Sequence, residues 1–182
     1  MTRALLLVDL QNDYFEDDEL RACRDDLLRA CNLLVDRAHR DGAPVVEVRT
    51  VHAHDRSTWA LNMLEDGEGV ALEGTTGAQR LGGLRPADHV VVKTRDSAFH
   101  GTGLSSWLEG RGVGSVVLAG VSTESCIAAT AMDAYAHDIE VTLVGDATAS
   151  VDPELHDQTL ARLTKLYRQP VRRAEEITFD GS

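Results

Sequence analysis

The chain has 182 residues, of which 43% are apolar and 26% are charged. This length and composition are typical of one globular domain, and we expect residues 1–182 to form it. Lys and Arg number 18 against 30 Asp and Glu, which gives a formal net charge of −12. So acidic a surface repels phosphate backbones and anionic lipids, and we therefore expect neither a nucleic acid nor a membrane as a partner.

The cysteines indicate a reducing compartment, and the N-terminal residues do not form a signal-peptide pattern. The three cysteines, Cys23, Cys31 and Cys126, are an odd number, and no two of them form a CxxC pair. The apolar run from Ala4 to Leu10 is too short for the core of a signal peptide, and no stretch is long enough to span a bilayer. We expect a cytoplasmic protein.

Short runs rich in Val, Leu and Ala alternate with longer stretches of helical period, which predicts parallel strands joined by crossover helices. Most of these runs are almost continuously apolar, as in a sheet that is covered on both faces. The pattern predicts an α/β fold with a doubly wound sheet. The predicted strands are Ala4–Asp9, Val45–Thr50, Val90–Lys93, Val116–Gly120, Val141–Gly145 and Glu176–Phe179.

Four stretches of helical period lie between these strands. The longest, Leu20–Arg40, is followed by a glycine and a proline that end it. The other predicted helices are Gly103–Gly110, Glu124–His137 and Pro153–Tyr167. The segment 51–85 differs because it mixes apolar side chains with glycines, and a long excursion of this kind is typical of a lid or binding loop.

Three side chains that could take part in catalysis lie at the carboxyl ends of predicted parallel strands, and so at one edge of the sheet. Ligands bind at this edge in open parallel sheets. Asp9 ends the first strand, Lys93 ends the third, and Cys126 follows the fourth. A helix start and a nearby lysine favour a thiolate, and a carboxylate can accept the thiol proton and return it to a leaving amine. The alternative is that Asp9 caps a strand, Lys93 is solvated and Cys126 packs inertly.

Three longer blocks contain these residues: LLLVDLQNDYF from Leu5, VVKTRDSAFHGTGL from Val91 and VVLAGVSTESCIAATAMDAYAHDIEVTLVGDATAS from Val116. In order and spacing they resemble the signature regions of the isochorismatase-like cysteine hydrolases, the superfamily of nicotinamidases and N-carbamoylsarcosine amidases. The resemblance implies a three-layer α/β/α, Rossmann-like fold with a six-stranded, mostly parallel sheet.

The resemblance also implies a role for each catalytic position. Asp9 would act as base and then acid, Lys93 would stabilise the thiolate, and Cys126 would attack a carbonyl carbon to form a thioester that water hydrolyses. The peptide bond between Val121 and Ser122 would be cis, and the N–H groups of Ser122 and Cys126 would form an oxyanion hole. No organic cofactor is implied.

Further residues are predicted to contact the substrate, because they follow Asp9, lie near the rim of the same edge or flank the cysteine loop. These residues are Gln11, Phe15, Trp59, Phe99 and Val121.

Two histidines are candidate metal ligands. Nicotinamidases carry an Asp-x-His element after the second strand, and the matching positions here are His52 and His54, with histidine in place of the aspartate. Two imidazoles two residues apart can hold a transition metal weakly. The other interpretation is that both are loop residues, and we expect no metal.

We therefore predict a cysteine hydrolase that cleaves a C–N bond of a small amide, ureido or carbamoyl compound. One alternative is a metal-assisted nicotinamidase that uses His54 and His52. Another, from a different class, is a non-catalytic module that binds a small molecule or assembles with a partner. The resemblance also implies a homo-oligomer, a dimer or larger.

Overall fold

The computed structural model describes residues 2–180. Its six strands are β1 Thr2–Val8, β2 Val45–Thr50, β3 His89–Lys93, β4 Val113–Val121, β5 Glu140–Ala149 and β6 Val171–Arg172. They form one sheet in the order β3-β2-β1-β4-β5-β6, and every neighbouring pair is parallel. The predicted six-stranded parallel sheet is confirmed.

Five α-helices join the strands: α1 Asp18–Arg40, α2 Leu61–Asp66, α3 Leu104–Glu109, α4 Ala128–Ala136 and α5 Pro153–Tyr167. The two long helices begin at aspartate caps, because Asp17 accepts a hydrogen bond from a first-turn N–H group of α1 and Asp152 accepts two from α5. The helix α1 ends before Gly42, whose φ of 72° suits glycine. Among residues 2–180, no helix combines the length and apolar character needed to cross a membrane.

The helices cover the sheet on both faces. Leu5 and Leu7 of β1 pack with α1 and the C-terminal segment, whereas Ala4 and Leu6 pack with α3, α4 and α5. Because successive residues of a strand point to opposite faces, the continuous apolar run of β1 contributes to both cores. The result is the predicted three-layer α/β/α arrangement.

The sixth strand was predicted in the wrong place. Glu176–Phe179 is not a strand, and the sheet instead ends with Val171–Arg172, which pairs with Leu143 and Val144. The error has a physical cause, since Ile177 and Phe179 are both buried and alternate with exposed neighbours. That alternation imitates a strand, but the side chains pack on the α1 side without joining the sheet.

The segment 51–85 is tied down against the turn that follows Asp9. It contains α2, and an isolated bridge between Gln11 and Arg80 joins it to that turn, while a second bridge pairs His52 with Leu72 within the segment. The carboxylate of Asp13 accepts a hydrogen bond of 2.7 Å from the N–H of Ala71. These contacts hold the segment as a fixed cover over the carboxyl edge of the sheet.

Candidate active site

The structure brings the three predicted catalytic side chains together at the carboxyl edge of the sheet. Nζ of Lys93 lies 2.8 Å from Oδ2 of Asp9 and 3.4 Å from Sγ of Cys126. Asp9 directly follows β1 in a left-handed conformation with a φ of 52°, which aspartate tolerates better than most residues. Cys126 lies in a five-residue π-helical turn, Thr123–Ile127, that connects β4 to α4.

Thr50 belongs to the same site, although it was not among the predicted catalytic residues. Its hydroxyl accepts a hydrogen bond of 2.8 Å from Nζ of Lys93 and donates one of 2.9 Å to Oδ1 of Asp9. Its N–H group donates to the same oxygen at 3.0 Å. The rule that selected Asp9 and Lys93 also points to Thr50, since it ends β2 at the same edge.

The three side chains are shielded from bulk water. Asp9 is fully buried, Lys93 is 2% exposed and Cys126 is 7% exposed. A buried ion pair is costly to break, because removal of either partner leaves the other charge unpaired in a poorly solvated place. The Asp9–Lys93 pair is therefore a structural unit as well as a chemical one.

The electrostatics around the thiol correct one expectation. Burial raises the pKa of Cys126 well above its ordinary value and the charge of Asp9 raises it further, while Lys93 lowers it by less. The sequence pattern favoured a thiolate, because it placed Cys126 at a helix start beside a lysine. In the structure, burial and the neighbouring carboxylate prevail, so Cys126 rests as a neutral thiol.

Lys93 stays charged in this setting. Burial by itself lowers the pKa of its ammonium group, but the charge of Asp9 and the hydrogen bonds to Asp9 and Cys126 raise it, and the pKa is raised overall. A protonated lysine that touches both the carboxylate and the sulfur can stabilise negative charge on either one.

The turn that carries Cys126 is held at several points. The N–H groups of Ile127 and Ser125 donate to the carbonyl oxygen of Ser122 at 3.1 and 3.3 Å. The hydroxyl of Thr123 lies 2.8 Å from Nδ1 of His156 on α5. The peptide bond between Val121 and Ser122 is cis, as the resemblance implies.

A cavity of about 160 Å³ is lined in part by Cys126. It adjoins a cleft of about 720 Å³. Residues of the loop that follows β3 and of the segment 51–85 line both spaces. The residues that line the smaller cavity are Tyr14, Thr50, His52, Ala60, Asn62, Met63, Val70, Thr94, Arg95, Asp96, Ser125 and Cys126.

The five predicted substrate contacts lie elsewhere. Phe15 and Val121 are buried in the core on the α1 side, and Phe99 is buried in the opposite core, where it stacks on His137. The remaining two, Gln11 and Trp59, are buried with their polar groups bonded to backbone oxygens. These side chains support the walls of the site, and none of them lines the cavity.

The lining residues that the prediction missed are often direct neighbours of motif positions. Tyr14 precedes Phe15, and Ser125 precedes Cys126. Asp96 lies three residues after Lys93 in the second block. Asn62 and Val70 come from the segment 51–85, where no sequence pattern indicated which side chains turn inward.

His52 and His54 each contact a backbone carbonyl oxygen through one ring nitrogen. Nδ1 of His52 lies 3.0 Å from the carbonyl oxygen of Thr58, and Nε2 of the exposed His54 lies 2.8 Å from that of Glu73. Within residues 2–180, no three His, Cys, Asp or Glu side chains are grouped so that they could hold a metal ion. Burial lowers the pKa of His52, which keeps this imidazole neutral beside the cavity.

The fold and the buried aspartate–lysine–cysteine cluster define a three-layer α/β protein with an enclosed polar site beneath a small cavity. The isochorismatase domain profile matches residues 3–175, and the chain belongs to the isochorismatase family.

Known proteins of similar sequence and structure agree with this assignment. The chain is 37% identical to a probable inactive nicotinamidase from Arabidopsis thaliana over 84% of its own length and 83% of the relative's. It is 32% identical to nicotinamidase 3 of the same plant, over 88% and 79% of the two chains. The crystal structure of N-carbamoylsarcosine amidase from Thermoplasma acidophilum superimposes with a TM-score of 0.83 at 27% identity, over 97% of this chain and 99% of that one.

Proposed function

We propose that this protein hydrolyses a C–N bond of a small amide, ureido or carbamoyl compound, with Cys126 as nucleophile and a thioester as intermediate. The observation that carries the proposal is the buried cluster in which Lys93 touches both Asp9 and Cys126, at 2.8 and 3.4 Å. Membership of a family that includes a nicotinamidase and an N-carbamoylsarcosine amidase supports the coarser part, a hydrolase of amide bonds.

The reaction begins with a proton transfer from the thiol to Asp9. Oδ1 of Asp9 accepts two hydrogen bonds from Thr50. Oδ2 lies beside Lys93 but receives no well-directed hydrogen bond within the described chain. Oδ2 is therefore the oxygen able to accept the proton. The sulfur then attacks the carbonyl carbon, and the ammonium group of Lys93 stabilises the developing charge.

Collapse of the tetrahedral intermediate releases the amine. The N–H groups of Ser122 and Cys126 would stabilise its oxyanion, since they stand at the turn beside the nucleophile. Asp9 returns the proton to the departing nitrogen, the C–N bond breaks and a thioester remains. Water then attacks the thioester, gives one proton to Asp9 and releases the acid, and Asp9 restores the thiol.

The cavity limits the size of the substrate. At about 160 Å³ it is smaller than the cavities that hold drug-sized ligands, so the acyl group bound over Cys126 is small. The larger cleft beside it provides the entry path and can accommodate a longer remainder of the molecule.

A non-catalytic role is the second candidate, because a relative 37% identical to this chain is named a probable inactive nicotinamidase. The geometry favours activity, since all three side chains of the cluster are present and in contact. A merely structural cysteine would not require a buried ion pair beside it.

Ammonia release from a panel of small amides and ureido compounds tests the proposal. We expect turnover by the wild-type protein, a trapped acyl-enzyme on Cys126 by mass spectrometry, and loss of both in Cys126→Ala. Cys23→Ala is the matched control, because Cys23 lies on α1 outside the site. Turnover that survives in Cys126→Ala would contradict the proposal.

The expected homo-oligomer and cytoplasmic location remain predictions. Light scattering measures the first and cell fractionation the second.

A further inference from the structure

We propose that Asp96 selects amides that carry a positive charge close to the scissile carbonyl. The inference rests on the proposed hydrolase and adds the chemical class of its substrate. It follows from the position of Asp96, which places a second carboxylate beside the nucleophile in addition to that of Asp9.

Asp96 lies beside both the nucleophile and the entry path. Its Oδ1 lies 4.0 Å from Sγ of Cys126, and the residue lines both the small cavity and the larger cleft. A substrate whose carbonyl carbon is placed beside the sulfur therefore lies close to this carboxylate.

The carboxylate of Asp96 is not neutralised by a neighbouring cation. Whereas Asp9 is paired with Lys93, none of the ion pairs found among residues 2–180 involves Asp96. Asp96 is also exposed, so its charge is available to a ligand. A free carboxylate at the mouth of a cavity attracts a cation and repels an anion.

The neighbouring Arg95 lines the same two cavities and, like Asp96, takes part in none of the ion pairs found among residues 2–180, but its guanidinium group is held by the backbone. Its Nη1 donates to the carbonyl oxygens of Thr58 and Thr94, at 2.7 and 2.5 Å, which anchors the guanidinium group on the backbone. The cleft contains a further carboxylate, Asp133, and the chain as a whole carries a net charge of −12. Carboxylates therefore outnumber the arginine along the path to Cys126.

The short distance from Asp96 to the sulfur restricts where the cation can be. An ammonium group bonded to Asp96 must be only a few bonds from the carbonyl carbon under attack. The substrate class is therefore an amide with an amino group one or two carbons from its carbonyl. β-Alaninamide has this form, butyramide is its neutral analogue of the same shape, and succinamate carries a negative charge instead.

The ratio of kcat/KM for β-alaninamide to that for butyramide measures the selection. We expect a ratio of about ten or more in the wild type, the size of a charged hydrogen bond in a partly solvated place. In Asp96→Asn the ratio falls toward one, and in Asp96→Lys succinamate becomes the best of the three. Glu109→Gln is the control, since it removes one charge from the exposed end of α3 and should leave the ratio unchanged.

Two results would overturn the inference. One is a wild-type ratio near one. The other is an Asp96→Asn variant that loses rate on all three probes alike, because then the carboxylate acts on the thiol and not on the substrate's charge.

Binding to an inactive variant separates this inference from the hydrolase proposal. In Cys126→Ala, ligand-observed NMR titration should give about tenfold tighter binding of β-alaninamide than of butyramide, and the additional Asp96→Asn change should abolish the difference. Equal affinities refute the role of Asp96 whether or not the protein hydrolyses amides. Selective binding without turnover in the wild type would refute the hydrolase alone.

Discussion

Gln11 holds the backbone of Thr50 at both of its polar ends. Its Oε1 accepts a hydrogen bond of 2.9 Å from the N–H of Thr50, and its Nε2 donates one of 2.8 Å to the carbonyl oxygen of the same residue. Nε2 also donates to the carbonyl oxygen of Ala78, at 2.8 Å. A fully buried amide thus joins the end of β2 to the segment that covers the site.

Replacement of Gln11 by alanine should destabilise the protein by about 2 kcal/mol or more, because one buried and one partly buried carbonyl group lose their donor. Urea unfolding measures the change. Asn12→Ala is the control, since Asn12 makes one more exposed bond to the carbonyl oxygen of Thr76, and it should cost less than about 1 kcal/mol. Equal costs for the two variants would contradict the bridging role of Gln11.

The hydroxyl of Thr50 should matter for both stability and rate. Thr50→Val keeps the shape of the side chain but leaves Asp9 and Lys93 without a shared hydrogen bond. We expect a loss of about 2 kcal/mol in the free energy of unfolding and at least about tenfold in kcat, since the carboxylate is less well oriented. Thr50→Ser retains the hydroxyl and should recover most of both. A fully active Thr50→Val would contradict the prediction.

Alkylation of Cys126 should be slow in the resting protein and faster in Asp9→Asn. The carboxylate of Asp9 raises the pKa of the thiol and Lys93 lowers it, so removal of the negative charge alone favours the thiolate. Iodoacetamide labelling against pH, resolved by mass spectrometry, measures this shift. Hydrolysis should be lost in the same variant, because the proton acceptor is gone.

Cys31 supplies an internal control for that labelling. It is fully buried away from the site, and burial raises its pKa to about 12, so it should stay unlabelled in both proteins. Rapid labelling of wild-type Cys126 near neutral pH, or slower labelling in Asp9→Asn, would show that the charge of Asp9 does not govern the thiol.

Gly77→Ala should loosen the segment 51–85. A Cβ atom at this position would lie 1.7 Å from Oδ1 of Asp13, whose carboxylate accepts the bond from Ala71. The aspartate must therefore move, and we expect a loss of about 2 kcal/mol in stability together with a raised KM. Gly82→Ala is the matched control, because a Cβ there meets nothing within 4 Å. A Gly77→Ala protein as stable as Gly82→Ala would contradict this account.

Stability should fall as the pH drops below about 6.5, in part because of His52. Burial lowers the pKa of His52, so between its folded and unfolded values the unfolded chain binds the proton and the folded chain does not. The free energy of unfolding therefore rises with pH through this window. In His52→Asn, which can keep the bond to Thr58, urea unfolding at a series of pH values should show a weaker dependence of the free energy of unfolding on pH. We expect the slope to fall by an amount equivalent to less than about one proton. An unchanged slope in His52→Asn would contradict the prediction.

The sheet edge was predictable because strand ends are visible in the sequence. Asp9 and Lys93 each follow an apolar run, and parallel topology places both at one edge. The same reasoning reaches Thr50. The residues that line the cavity were harder to predict from the sequence. Phe15 and Tyr14 are adjacent in a short helical turn, and only the backbone geometry decides which ring enters the core.

The pKa of Cys126 shows a second limit. Its position near a helix start and a lysine can be recognised from sequence, whereas burial depends on how residues far apart in the chain pack over it. Ile177 and Phe179 show the same limit for secondary structure, because their burial arises from tertiary packing and imitates a strand.

The pairing of Thr50 with Lys93 in the β2–β3 ladder has a consequence for folding. Side chains alternate between the two faces of a strand, so a slip of one residue between these strands would turn the lysine away from Asp9. The ammonium group can reach the carboxylate and the sulfur only when four adjacent strands, β3 to β4, are aligned in one register. Amide hydrolysis would then measure whether the strands are correctly aligned. A compact chain with misaligned strands would show no hydrolysis.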